Sequence, residues 1–138
     1  NNILNNILAK IEANVAGADD AIMLDLYGFV AETNATNVFI VRGGTLMTPA
    51  ADACLPGITR GLVLELAERD GIPTRERNIS LTEVYTADEV FTTGTMGELT
   101  PVLEVDGRRI VNKGESSVTS RLQVLHAAWV RQKGWPIR

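Results

Sequence analysis

Asn37-Val38-Phe39-Ile40-Val41-Arg42-Gly43-Gly44-Thr45-Leu46-Met47-Thr48 is the stretch from which the rest of the chain takes its order. The run from Asn37 to Val41 is short, apolar and rich in β-branched and aromatic side chains, which predicts a strand. Gly43-Gly44 accepts the positive backbone angles of a two-residue hairpin turn, and Thr45 to Thr48 returns as its partner. Upstream, Ala21 to Leu26 reads as a strand, Tyr27-Gly28 as a turn and Phe29 to Glu32 as a returning strand. Earlier still, Ile3, Leu4, Ile7, Leu8, Ile11 and Val15 share one face of a helix over Asn2–Ala16, stopped by Gly17.

Downstream, Thr59 to Arg69 predicts a helix with Leu62, Val63 and Leu66 inward and Gly71 as its stop. Thr74 to Ile79 reads as a strand, and Ser80-Leu81-Thr82-Glu83 fits a capping box opening a short helix. Glu89 to Thr93 is a strand that runs into the loop Gly94-Thr95-Met96-Gly97. Pro101 to Val105 and Arg108 to Val111 flank a hairpin turn at Asp106-Gly107. Ser117 to Lys133 closes the chain as an amphipathic helix with Val118, Leu122, Leu125 and Trp129 buried. Hairpins interleaved with helices predict an α+β fold, not a serial βαβ arrangement. With no repeat or linker, residues 1–138 read as one domain.

Composition narrows the class. Hydrophobic residues make up 45% and charged residues 22%, as in folded globular proteins. A net charge of −4 and no Lys/Arg-rich run argue against a nucleic-acid partner. No apolar stretch approaches a membrane span. The lone Cys54 makes no internal disulfide, so a reducing, cytoplasmic setting is the default expectation. The lone His126 cannot build a triad or a His-rich metal site, so no metal is expected. The chain opens at Asn1 without an initiator Met, its helical pattern already under way, and we expect that its beginning is missing.

Two stretches have the makings of an anion site. Leu55-Pro56-Gly57-Ile58-Thr59-Arg60 leads into a helix, whose first amides lack intrahelical acceptors and whose dipole favours an anion. Gly57 allows close approach of a ligand, and Thr59 adds a hydroxyl donor; the plainer reading of Thr59 is a helix cap. Thr92-Thr93-Gly94-Thr95-Met96-Gly97 follows an apolar strand, and its glycines free the backbone to present amides to an oxyanion, or simply turn it. Glu32 shares a face with Val30 by strict alternation, which points its carboxylate inward unless it is a solvated strand end. Glu65 and Arg69 read as a surface pair worth a few tenths of a kcal/mol.

In this order and spacing, Glu32-Thr33-Asn34-Ala35-Thr36-Asn37-Val38-Phe39, Leu46-Met47-Thr48 and Leu55 to Arg60 resemble the signature of class-IV aminotransferases. That family includes branched-chain and D-amino-acid aminotransferases and aminodeoxychorismate lyases. Phe91 to Val102 looks like its later phosphate and carboxylate loop, and Asp106-Gly107-Arg108 also fits. The resemblance implies the large C-terminal domain of a fold-type IV enzyme, a mixed sheet or pseudo-barrel with flanking helices, and pyridoxal 5′-phosphate as cofactor. It implies Glu32 on the pyridinium nitrogen, Leu55 against a ring face, and Ile58 and Thr59 on the phosphate, with Gly57 and Gly94 lining the grip. Thr95 would meet the phosphate from the second loop, and amides near Met96 and Gly97 the substrate carboxylate. Asn34 stands where the family usually has a small residue or Ser/Thr, which alters the hydrogen bonding behind the ring, and Met96-Gly97 replaces the commoner small pair, narrowing the expected substrate pocket.

The implied reaction is transamination between an amino acid and a 2-oxo acid, branched-chain by preference, in a homo-oligomer. An aminodeoxychorismate-lyase type of elimination and a non-catalytic scaffold of the same fold are the alternatives. The family's Schiff-base lysine falls just upstream of Asn1, so none of Lys10, Lys113 and Lys133 takes its role. The family's N-terminal domain is expected outside this chain too, leaving apolar surface uncovered and the chain alone without turnover.

Overall fold

The computed structural model describes residues 3–52, 54–94, 98–112, 114 and 117–133. In chain order these form α1 (Leu4–Val15), β1 (Ile22–Leu24), β2 (Val30–Thr33), β3 (Asn37–Arg42), β4 (Thr45–Thr48) and α2 (Ile58–Arg69). There follow β5 (Thr74–Glu76), α3 (Leu81–Tyr85), β6 (Glu89–Gly94), β7 (Glu98–Pro101), β8 (Glu104–Val105), β9 (Arg108–Arg109) and α4 (Val118–Lys133). The fold is α+β, and its centre is a mixed sheet in the order β5-β4-β3-β6-β7, flanked by helices. The β4–β5 pairing is parallel and the others antiparallel.

β3 is central because its apolar run has no polar face. Val38 and Ile40 pack with Met47, Ile79, Val84 and Val90 on one side of the sheet. Phe39 and Val41 pack with Leu46, Val63, Leu66, Phe91 and Leu122 on the other, beneath α2 and α4. The Phe39 and Phe91 rings stack at 5.0 Å between centroids, directly opposite each other in the β3–β6 register. Gly43 and Gly44 turn the β3–β4 hairpin at φ 56° and 76°, a conformation that side chains with a Cβ rarely adopt.

Several boundaries differ from the sequence reading for identifiable reasons. β5 stops at Glu76, and the chain beyond it serves the β1–β2 hairpin instead: Ile79 O accepts from Val30 N at 2.8 Å. Pro101 ends β7 rather than opening the next hairpin, so Asp106-Gly107 joins only the short pair β8–β9. The capping box forms as read: Ser80 Oγ accepts from Glu83 N at 3.3 Å, and Glu83 Oε2 from Ser80 N at 3.0 Å. Glu65 and Arg69 pair across one turn of α2, both largely exposed.

α1 differs most from an ordinary amphipathic helix. Only Ala13 among its residues is buried, while Leu4, Leu8, Ile11 and Val15 are each more than half exposed. Its apolar stripe therefore faces away from the core that the other helices cover. α4 places Leu122 fully inside, with Val118, Leu125 and Trp129 against the same core.

Candidate functional site

The turn between β2 and β3 fixes the first part of the site. Thr33 Oγ1 accepts from Ala35 N at 3.3 Å and Thr36 N at 3.0 Å, and lies 2.8 Å from Thr36 Oγ1. Thr33 N donates to Thr36 O at 2.8 Å, closing the turn. This local locking sets Glu32 on one side of the turn and Asn37 on the other, and both reach the segment before α2. Glu32 Oε2 accepts from Leu55 N at 3.2 Å. Asn37 Nδ2 donates to Leu55 O at 2.9 Å.

Strict alternation does not hold in β2. Its register against β1 shifts between Met23 and Leu24, and Val30, Ala31 and Thr33 are buried while Glu32 is half-buried. An extra residue in a strand resets which side chains share a face. Glu32 is thus neither sunk in the core nor a freely solvated strand end.

The segment Leu55 to Thr59 presents an open helix start. Gly57 is the N-cap of α2, with no side-chain cap and no acidic residue in the first turn. The first intrahelical bond runs from Gly61 N to Gly57 O, so the amides of Ile58, Thr59 and Arg60 precede the ladder. The starts of α3 and α4 are already supplied with acceptors, whereas α1, like α2, has no side-chain cap. Ser80 and Glu83 cap α3. The buried Glu89 accepts from Val118 N at 3.0 Å and Thr119 N at 2.8 Å at the head of α4. Of α2, α3 and α4, α2 alone keeps its amides and its positive dipole end for an outside anion.

Shape agrees with this. A Cβ on Gly57 would fall far inside contact distance of Asn37 Oδ1, and one on Gly94 would sit 3.0 Å from Thr36 Cγ2. Both glycines therefore let chain segments close on the Thr33–Thr36 turn, drawing the end of β6 and the start of α2 to the same place. Leu55 is 73% and Ile58 91% exposed, apolar side chains left standing in the open beside Glu32 and the helix start. Thr59 is half-buried on the first turn of α2. Thr95, Met96 and Gly97 lie outside the described residues.

Three supporting residues were not singled out from sequence. Asn37 is 6% exposed and enters the sequence reading as the start of a strand and as one position of the signature, with no role of its own. Arg60 is 5% exposed although it sits in a helix; its guanidinium donates to Pro49 O at 2.9 Å and pairs with Glu76. Thr93, opposite Asn37 in the sheet, buries a hydroxyl that finds no partner among the described residues. The usable signal was a polar residue at the head of an apolar strand, and an Arg in the first turn of a helix, where its charge opposes the dipole. Asn34 accepts from Ala21 N at 3.3 Å through Oδ1 and from Asn6 Nδ2 at 3.0 Å through its carbonyl, tying β1 and α1 to the turn.

Burial pushes the Cys54 thiol up, against the pull of Arg60, which disfavours a thiolate there. His126 is a buried side chain of α4. No cluster of metal-ligating side chains occurs among the described residues, and no described helix is long and apolar enough to cross a membrane.

A carboxylate at one end, an open helix start at the other and exposed apolar side chains between them suit a flat ligand with an anionic tail. The family model described as Amino-transferase class IV matches residues 1–105. Branched-chain-amino-acid aminotransferase-like protein 2 of Arabidopsis thaliana is 57% identical over 99% of this chain and 24% of its own length. The branched-chain-amino-acid aminotransferase of Pseudomonas aeruginosa is 48% identical over 87% of this chain and 39% of its own. The branched-chain amino acid aminotransferase of Thermobaculum terrenum, solved in its PLP form, is 36% identical with a TM-score of 0.90, covering 96% of this chain and 44% of that one. The chain therefore spans a quarter to under half of these relatives, and it belongs to the class-IV aminotransferase family.

Proposed function

We propose that this chain is the cofactor-gripping part of a pyridoxal-phosphate-dependent aminotransferase acting on an amino acid and a 2-oxo acid, with branched-chain substrates preferred. The observation that carries the reading is the convergence on Leu55. Glu32 holds its amide, Asn37 holds its carbonyl, and the uncapped start of α2 follows two residues later.

The residues fit the cofactor. Gly57 leaves room for Asn37 Oδ1, which a Cβ there would strike, and the amides of Ile58 and Thr59 are unclaimed by the helix. When bound, pyridoxal phosphate supplies an electron sink for the carbanion formed at the amino acid's Cα. Glu32 would hold the proton on the ring nitrogen, because a carboxylate beside it favours the charged form. Leu55 would cover a ring face and exclude water there. Ile58 and Thr59 would receive the phosphate through amides and the Thr59 hydroxyl, and Gly94 would let Thr95 approach from the second loop. Met96 and Gly97 would take the substrate carboxylate.

The Schiff-base lysine is assigned to polypeptide outside this chain, which spans under half of its relatives' length. On this reading the 138-residue chain alone binds cofactor noncovalently and does not turn over; a visible band that survives dialysis of that chain would contradict it. A homo-oligomeric, cytoplasmic enzyme is part of the same proposal.

The test is made on the complete gene product. Leucine, D-alanine and aminodeoxychorismate are offered in turn, with 2-oxoglutarate as amino acceptor. Transamination of leucine in preference to the others is expected, and Glu32→Gln is expected to lower kcat by about 100-fold or more, the scale of losing a positioned proton-holding group. Pyruvate release from aminodeoxychorismate would move the assignment to the lyases. Absence of any pyridoxal-phosphate binding would overturn it.

A further inference from the structure

We propose that Asn37 is a positioning residue for phosphate recognition, acting through Leu55 and in steric partnership with Gly57. The inference rests on the cofactor reading above and goes beyond it by assigning a role to a residue placed to touch neither ring nor phosphate.

The geometry is specific. Asn37 opens β3, next to the apolar centre of the sheet, and is 6% exposed. Its amide nitrogen donates to Leu55 O at 2.9 Å, and the same carbonyl accepts from Gly57 N at 2.8 Å. The other end of the Asn37 amide, Oδ1, occupies the space where a side chain on Gly57 would begin. One planar group thus pins the carbonyl before the helix with its donor and sets the height of the N-cap with its acceptor. Leu55 N, the other side of the same residue, is held by Glu32.

The consequence is a division of labour within the pocket. Glu32 sets the ring end. Asn37 sets where the first amides of α2 stand relative to that end, because the N-cap cannot move toward the sheet without striking Oδ1. Amides that point at an anion gain most when they are held in advance, since no ordering is then required on binding.

The experiment compares pyridoxal 5′-phosphate with pyridoxal as probes, measuring the affinity of each for the cofactor-free complete gene product by absorbance titration. Their ratio reports the phosphate contribution and does not depend on the fraction of protein that is folded. Asn37→Asp keeps the size of the side chain and removes its donor; Asn37→Ala removes both ends. Each is expected to lower the phosphate preference about ten-fold, the scale of one well-placed hydrogen bond, while the affinity for pyridoxal changes little. Gly57→Ala should cost affinity for pyridoxal phosphate in the wild-type background and much less in the Asn37→Ala background, since the collision is then gone.

Equal losses for both probes in the Asn37 variants would mean a merely structural role and would overturn the inference. So would Gly57→Ala and Asn37→Ala effects that simply add. A wild-type protein with no preference for the phosphorylated probe would overturn the cofactor reading itself, and this inference with it.

Discussion

At the scale of single residues, some polar groups inside this chain have a structural duty that can be weighed. Glu89 is 2% exposed on β6, opposite Val41, and supplies three hydrogen bonds to the head of α4, including one of 2.7 Å from Thr119 Oγ1. Its carboxylate meets the positive end of the helix dipole and satisfies amides that water does not reach. Removing it strands those donors, and buried unsatisfied donors are costly. Glu89→Ala is expected to destabilise the fold by about 2 kcal/mol, read as a lower denaturant midpoint. A midpoint within error of wild type would show that α4 finds other acceptors. Glu89 and Asn37 make the same point about legibility. Sequence showed a polar residue at the head of each of two apolar strands; which backbone groups these would meet depends on chain segments distant in sequence.

At the scale of elements, α3 and α1 lie at opposite extremes. α3 has only the turn from Leu81 to Tyr85, yet its start is fully specified by Ser80 and Glu83. The hydrogen bond from Arg77, at 2.6 Å, holds the Glu83 carboxyl well below its ordinary value of 4.5, to about 2. A carboxyl depressed on folding contributes stability that is present above pH 4.5 and lost as pH falls toward 2. Glu83→Gln, which keeps the capping hydrogen bond, should therefore lower stability at pH 7 by up to about 1 kcal/mol through loss of the Arg77 ion pair, with the gap to wild type closing over that acid window. Added salt should narrow the gap as well, since Arg77 is 37% and Glu83 25% exposed. A gap that stays constant from pH 7 to 2 would rule out the ion pair as its source.

α1 has a pronounced apolar stripe and almost no core to put it against. Replacing Ile7 and Ile11, 46% and 53% exposed, together by Glu should leave the melting temperature nearly unchanged. If instead the doubly substituted chain unfolds, the stripe packs inward.

For the molecule as a whole, the stripe of α1 and the side chains of Leu24, Leu26 and Tyr27 at the β1–β2 hairpin are apolar and exposed. Apolar area of this kind drives association when nothing covers it. The 138-residue chain on its own is expected to sediment with concentration-dependent self-association that the Ile7→Glu/Ile11→Glu pair reduces. A monomer at all accessible concentrations, wild type and variant alike, would contradict this.

The sequence by itself determined the elements whose signals are local. The β3–β4 hairpin, the capping box at Ser80, the helix stop at Gly17 and the family signature from Glu32 to Arg60 all depend on residues a few places apart, where turn chemistry and period act directly. Tertiary structure alone decided that Glu89 fills the start of α4 while that of α2 stays open, that Asn37 and Glu32 grip the same residue, that Arg60 is buried, and that the apolar face of α1 is left outside. Each of those follows from groups that chain folding brings together across the sheet, and hydrogen-bond satisfaction and burial are properties of that meeting, not of any segment read alone.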